Sequence, residues 1–170
     1  MPPLAALQAN PEGKMHKICS FYIADHLFGA DILDIREIKD EFRITRICHA
    51  PPEVKGCVNI RGYIYLILDL RIMLGFPLKK TIHRDNRLIL FKEHIGPSFG
   101  VLTDRVKDIL EIPENRMENV RSGITEPKNI KPDERKFPGA QRRSELTKGI
   151  IKLEDALLII LDTEKLLQVF

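Results

Sequence analysis

The chain has 170 residues, 44% hydrophobic and 30% charged, enough to bury roughly 70% of its unfolded surface without disulfide support. A net charge of +3 with interspersed signs points away from a strongly polyanionic partner, and Cys19, Cys48 and Cys57 show neither CxxC nor CxC spacing, which points away from a zinc knuckle, redox pair or disulfide framework. No window approaches the ~20 consecutive apolar residues of a membrane helix, so the expectation is a soluble cytoplasmic protein with reduced thiols.

Residues 1–16 carry Pro2, Pro3 and Pro11 and lack the basic start and apolar run of a signal peptide, so they read as a disordered N-terminal tail. Residues 17–24 (KICSFYIA) are rich in β-branched and aromatic side chains, Asp25-His26 supplies a turn, and residues 27–33 resume the pattern, which predicts a hairpin. The segment 35–47, with Ile35, Ile38, Phe42 and Ile44, has no capping signal ahead of it and favours strand. Pro51-Pro52 stops regular structure. Residues 54–60 and 63–70 then predict a second hairpin about Arg61-Gly62, its second strand apolar almost throughout and so buried on both faces. Residues 87–91 and 99–103 flank a turn at Gly96-Pro97-Ser98, residues 106–112 continue, and Pro113 ends them.

Between 128 and 148 basic residues outnumber acids, and Pro132, Pro138 and Gly139 break any regular element, giving a basic loop. Residues 156–161 (ALLIIL) predict another buried strand, followed by a short C-terminal helical turn capped by Asp162 or Thr163. Many short strands at close spacing argue for an all-β protein, a barrel or a sandwich.

Residues 56–74 (GCVNIRGYIYLILDLRIML) and 149–167 (GIIKLEDALLIILDTEKLL) align without a gap, each opening on Gly and placing Asp thirteen positions later. A fainter match joins residues 28–38 to residues 99–109. Two copies of this length predict paired sub-domains rather than a solenoid.

No catalytic constellation stands out. His16, His26, His49, His83 and His94 are isolated, with no HxxxH or HExxH pair to build a zinc site, and GxSxG, Walker A and GxGxxG patterns are missing. Asp69 and Asp162 invite comparison with an acid–base pair. Each also ends an apolar strand, where a carboxylate can satisfy turn or helix-start amides, and that is the preferred reading. No metal or cofactor is expected.

Asn59-Ile60-Arg61-Gly62, followed by Leu68-Asp69-Leu70-Arg71, resembles the NLRG…DLR signature of the CheW family of chemotaxis adaptors. The family's FGVDI…V.EI element is similar to residues 28–38, its proline and KG segment to Pro51-Pro52 and Lys55-Gly56, its VD.V..V stretch to residues 103–109, and its closing element to residues 157–167. The chain departs from the family at residues 152–156, which lack the arginine of the usual turn.

The resemblance covers residues 17–168 and implies two SH3-like five-stranded β-barrels packed on a shared hydrophobic core. The first barrel is expected over residues 17–76 and the second over 84–168, with some strand exchange. It implies a non-catalytic scaffold, cytoplasmic and associated with receptor arrays, which couples chemoreceptor tips to the regulatory domain of the histidine kinase CheA and can meet other CheW copies. Neither nucleic acid nor direct membrane insertion is implied. By position, Ile35, Gly56 and Val58 fall near the kinase-binding surface, Glu37 and Arg61 form an ion pair at the receptor and kinase contacts, and Val106 and Ile109 point toward a receptor groove between the lobes. Two other readings remain: an adaptor of this kind in a motility or biofilm pathway, and a nucleic-acid-binding barrel using the basic loop. The latter has only Phe137 for base stacking.

Overall fold

The computed structural model describes residues 13–79, 81–119 and 144–168. Most of the tail and of the basic loop, including residues 128–143, lies outside them. β1 (Met15–Ile23) begins two residues inside the stretch read as tail and pairs with β2 (His26–Asp31). Their turn is centred on Ala24 and Asp25, one residue earlier than expected, and both have positive φ (48° and 66°). β3 (Ile35–Lys39) stops where the Asp40 carboxylate accepts the Glu41 amide at 2.9 Å. The long strand expected over 35–47 is thus cut short by a local side-chain acceptor, and only Thr45 returns to strand pairing, opposite Cys57.

β4 (Val54–Ile60) and β5 (Tyr63–Asp69) form the hairpin expected about Arg61-Gly62. Arg61 (φ 53°) and Gly62 (φ 86°) are both left-handed, the backbone of a two-residue turn whose twist suits antiparallel strands. Ile67 and Leu68, adjacent on β5, are both fully buried, as a strand covered on two faces requires. β5 runs into the short helix α1 (Leu70–Met73), where the Asp69 carboxylate accepts the Arg71 amide at 3.1 Å. β6 (Arg87–Phe91), β7 (Phe99–Thr103), β8 (Arg105–Pro113), the two-residue β9 (Glu118–Asn119), β10 (Thr147–Lys152) and β11 (Leu157–Leu161) follow, and a 3-10 turn, Thr163–Lys165, closes the described chain. Asp162 heads that turn without a side-chain cap, and its carboxylate meets Lys165 Nζ at 3.5 Å instead.

One sheet has the order β8-β1-β2-β11-β10-β9 and the other β3-β6-β7-β5-β4. Each curls into an SH3-like barrel because the segment that leaves its first strand reaches its last: β9, following β8, bonds β10, and Thr45, following β3, bridges β4. The two copies of the repeat obey one register. Ile67 lies opposite Gly56 and Gly100, and its counterpart Ile160 lies opposite Gly149 and Gly29. Ile35 pairs with Phe91 as Val106 pairs with Phe21.

Membership of the sheets does not follow chain order. β1 and β2 from the first copy join β8 to β11 from the second, while β6 and β7 from the second join β3, β4 and β5 from the first. Each barrel has a small apolar interior, with Ile18, Leu158 and Ile160 in one and Val58, Tyr65 and Ile67 in the other. A larger core between them stacks Phe21 on Phe28 and Phe91 on Phe99. These four rings, essentially inaccessible to solvent, supply the apolar area that binds the barrels together.

Candidate functional site

The β4–β5 turn presents Arg61 and β3 presents Glu37. Arg61 Nη2 stands 3.4 Å from Glu37 Oε1, and Lys39 Nζ reaches the same oxygen at 3.2 Å. The turn is held from within by Asn59, whose Oδ1 accepts the Gly62 amide at 2.9 Å. Because the Arg61 side chain is 77% exposed, the pair adds little to folding. Its charges are therefore open to a partner, which would desolvate and strengthen them. Beside them a shallow groove of about 410 Å³ runs between the free ends of β3 and β4, lined by Lys39, Phe42, Arg43, Ile60 and Arg61.

Ile35, Gly56 and Val58 are not surface residues. Ile35 is 8% exposed and packs in the shared core, Val58 is 3% exposed inside its barrel, and Gly56 is buried. Val58 also lines the groove beside Ile60 and Arg61, while Ile35 packs in the shared core. At Gly56 (φ 148°) an added Cβ would meet Ile44 Cγ2 and Thr45 O, the oxygen whose bond from the Cys57 amide helps close the barrel.

Val106 and Ile109 also separate. Val106 is half-buried against the shared core, whereas Ile109 is 56% exposed on β8. Between them the register against β1 slips by one residue, and buried Ser20 fills the gap. Its hydroxyl donates to Asp108 O at 2.7 Å and accepts from Asp108 N at 3.1 Å. Because the bulge sets two residues of β8 against one of β1, Val106 and Ile109, opposite Phe21 and Cys19, lie on one face of the sheet, the first half-buried and the second exposed. No sequence pattern announces Ser20, because the slip exists only once β1 and β8 are paired.

Sequence reasoning also missed the union of Arg71 and Asp104, although both lie in the stretches that carry the family resemblance. Arg71 Nη1 donates to Asp104 Oδ2, which also accepts the Ala24 amide at 2.8 Å, and Arg71 Nε donates to Pro77 O at 3.1 Å. The chain separation between these residues gave no signal.

Asp69 and Asp162 end β5 and β11 in different sheets, and each serves its own strand end; Asp69 further pairs with Lys55 Nζ at 3.1 Å. Among the described residues no group of three or more His, Cys, Asp or Glu is placed to hold a metal ion, and no helix is long and apolar enough to cross a membrane. Burial raises the Cys19 thiol above its ordinary pKa and keeps it protonated and unreactive.

Comparison with known proteins agrees. A model of the CheW-like domain matches residues 17–170. The chain is 29% identical over 147 residues to the chemotaxis protein CheW of Klebsiella aerogenes, covering 86% of this chain and 78% of that one. It is 27% identical over 148 residues to the Helicobacter pylori protein of the same name, covering 87% and 79%. The crystal structure of the scaffolding protein TtCheW from Thermoanaerobacter tengcongensis superposes with a TM-score of 0.68 at 28% identity, covering 88% of this chain and 90% of that one. Twin interlocked barrels, the ion pair at the Arg-Gly turn and a family match over residues 17–170 lead to one conclusion: the protein is a member of the CheW family.

Proposed function

We propose that this chain is a non-catalytic chemotaxis adaptor that couples receptors to the histidine kinase CheA, with the receptors and the kinase's regulatory domain held on different parts of one rigid body. The observation that carries this reading is the exposed Glu37–Arg61 pair at the rim of the β3–β4 groove, in a chain whose family is one of chemotaxis scaffolds. The kinase's regulatory domain is assigned to the groove side, where buried Ile35, Gly56 and Val58 support the surface. The receptor tip is assigned to the β8 side, where Ile109 offers apolar area. A reversible contact of this type needs about 800 Å² per partner and a few anchoring residues. Recruitment to membrane-anchored receptor arrays follows from receptor binding, and contact with further copies of the chain is compatible with it.

Co-sedimentation with receptor-bearing membranes and CheA tests the assignment. Arg61→Glu and Glu37→Arg are each expected to weaken complex formation by about tenfold, since each sets like charges against each other in a desolvated contact. The double reversal is expected to recover part of the loss, the signature of direct coupling. Absence of any recovery, with all variants folded, would refute the pairing as a binding element.

A further inference from the structure

Among the described residues the chain passes from one sheet to the other at two places: residues 32–34, between β2 and β3, and Asp104, between β7 and β8. The duplication makes these crossovers counterparts, yet they are held differently. At the first, the Asp34 carboxylate accepts from the Thr163 hydroxyl at 2.8 Å and meets His94 Nε2 at 3.1 Å. At the second, the Asp104 carboxylate is ion-paired with the Arg71 guanidinium, its backbone amide donates to Tyr22 O at 3.0 Å, and Asn86 Nδ2 donates to Thr103 O at 2.9 Å just before it. The aligned copies place Glu164 where Arg71 stands and Leu33 where Asp104 stands, so the ion pair is confined to one half of the molecule.

Both partners are largely withdrawn from water, each side chain being 18% exposed, so their attraction is less screened than that of the Glu37–Arg61 pair. The planar guanidinium is fixed a second time by Pro77 O, which sets its orientation as a lysine could not. Location gives the pair its meaning. Asp104 is the residue from which β8, carrying Ile109, departs, and Arg71 sits on α1, which continues directly from the hairpin strand that begins beside Arg61. The bond thus joins the element bearing one proposed docking surface to the element bearing the other.

We propose that Arg71 is a positioning residue: through Asp104 it holds the β7–β8 crossover so that the receptor-side and kinase-side surfaces keep one relative orientation, and passage of receptor state to the kinase depends on it. This rests on the adaptor reading above. Rigid linkage of two sites is a coupling term, separable from the affinity of either site.

The test uses the full chain with Arg71→Gln, Asp104→Asn and Arg71→Lys. Affinities for the CheA regulatory domain and for the receptor cytoplasmic hairpin are measured separately, and CheA autophosphorylation is measured in the three-component mixture. In Arg71→Gln and Asp104→Asn both separate affinities are expected to match the parent, while stimulation of the kinase by receptor falls about fivefold or more. Arg71→Lys, which keeps the charge, is expected to restore part of that stimulation. Asp104→Asn keeps an acceptor for the Ala24 amide and so carries the test if Arg71→Gln does not fold. Unchanged stimulation in the folded variants overturns the proposal, as does a loss no larger than the loss in separate binding. Failure of the unaltered chain to bind either partner instead defeats the adaptor reading itself.

Discussion

Phe91→Ala is expected to lower stability by about 3–5 kcal/mol, the range for removing a buried aromatic ring from a well-packed core. Phe91 is 1% exposed, stacks on Phe99 at 5.0 Å and lies opposite Ile35. A loss of that size is a large share of the ~5–15 kcal/mol that holds a domain of this kind folded. The manner of unfolding matters as much as the amount. Since the two barrels bury a common core and the chain threads from one to the other and back, opening either strips apolar cover from its neighbour, and the two should melt as one unit. Urea titrations followed by circular dichroism and by thiol reactivity check this, because Cys19 lies on β1 in one sheet and Cys57 on β4 in the other. One midpoint, shifted equally for both thiols, is expected. Separate midpoints for Cys19 and Cys57 would show barrels that fold independently, and the shared core would lose its role.

Gly56→Ala is expected to cost about 2–4 kcal/mol, because backbone strain and a main-chain clash act together there. At φ 148° the residue occupies backbone space that side chains rarely enter, and a Cβ would stand 2.3 Å from Thr45 O. That oxygen cannot retreat freely. It accepts the Cys57 amide at 2.8 Å while the Thr45 amide donates to Cys57 O at 2.8 Å, and these two bonds close the barrel. Gly149 occupies the same place in the repeat and supplies the control. A Cβ there would meet Met117 Cγ at 2.8 Å, in a flexible side chain, and main-chain oxygen only at 3.1 Å, from Glu118, so Gly149→Ala should be the milder change. Thermal melts of both variants, with affinity for the CheA regulatory domain measured on the folded fraction, give the comparison. Equal effects at the two positions would mean that the Thr45–Cys57 closure imposes no special constraint.

Much of the candidate site was legible beforehand, though by two routes. The Arg61-Gly62 turn followed from Gly placement between two apolar runs, and the cap function of Asp69 followed from a carboxylate at a strand end. The Glu37–Arg61 pairing came through family resemblance, since no local pattern links residues on separate strands. Resemblance alone did not separate surface from support. Ile35 and Val58 carry apolar side chains that suit a contact or a core equally well, and only the packing of β3 and β4 over the interior placed them inside. Arg71 and Asp104 were seen as members of separate motifs; their union requires the crossover of β7 into the other sheet, which no periodicity reports.

By itself the amino-acid order determined what is local: alternating and continuous apolar runs that make strands, turn residues that end them, and a gapless internal match that makes one module twice. Which module completes which barrel was decided only in three dimensions. Strand partners are chosen by burial of faces brought together over long chain separations, and with β1–β2 exchanged for β6–β7 between the copies the four central phenylalanines are withdrawn from solvent.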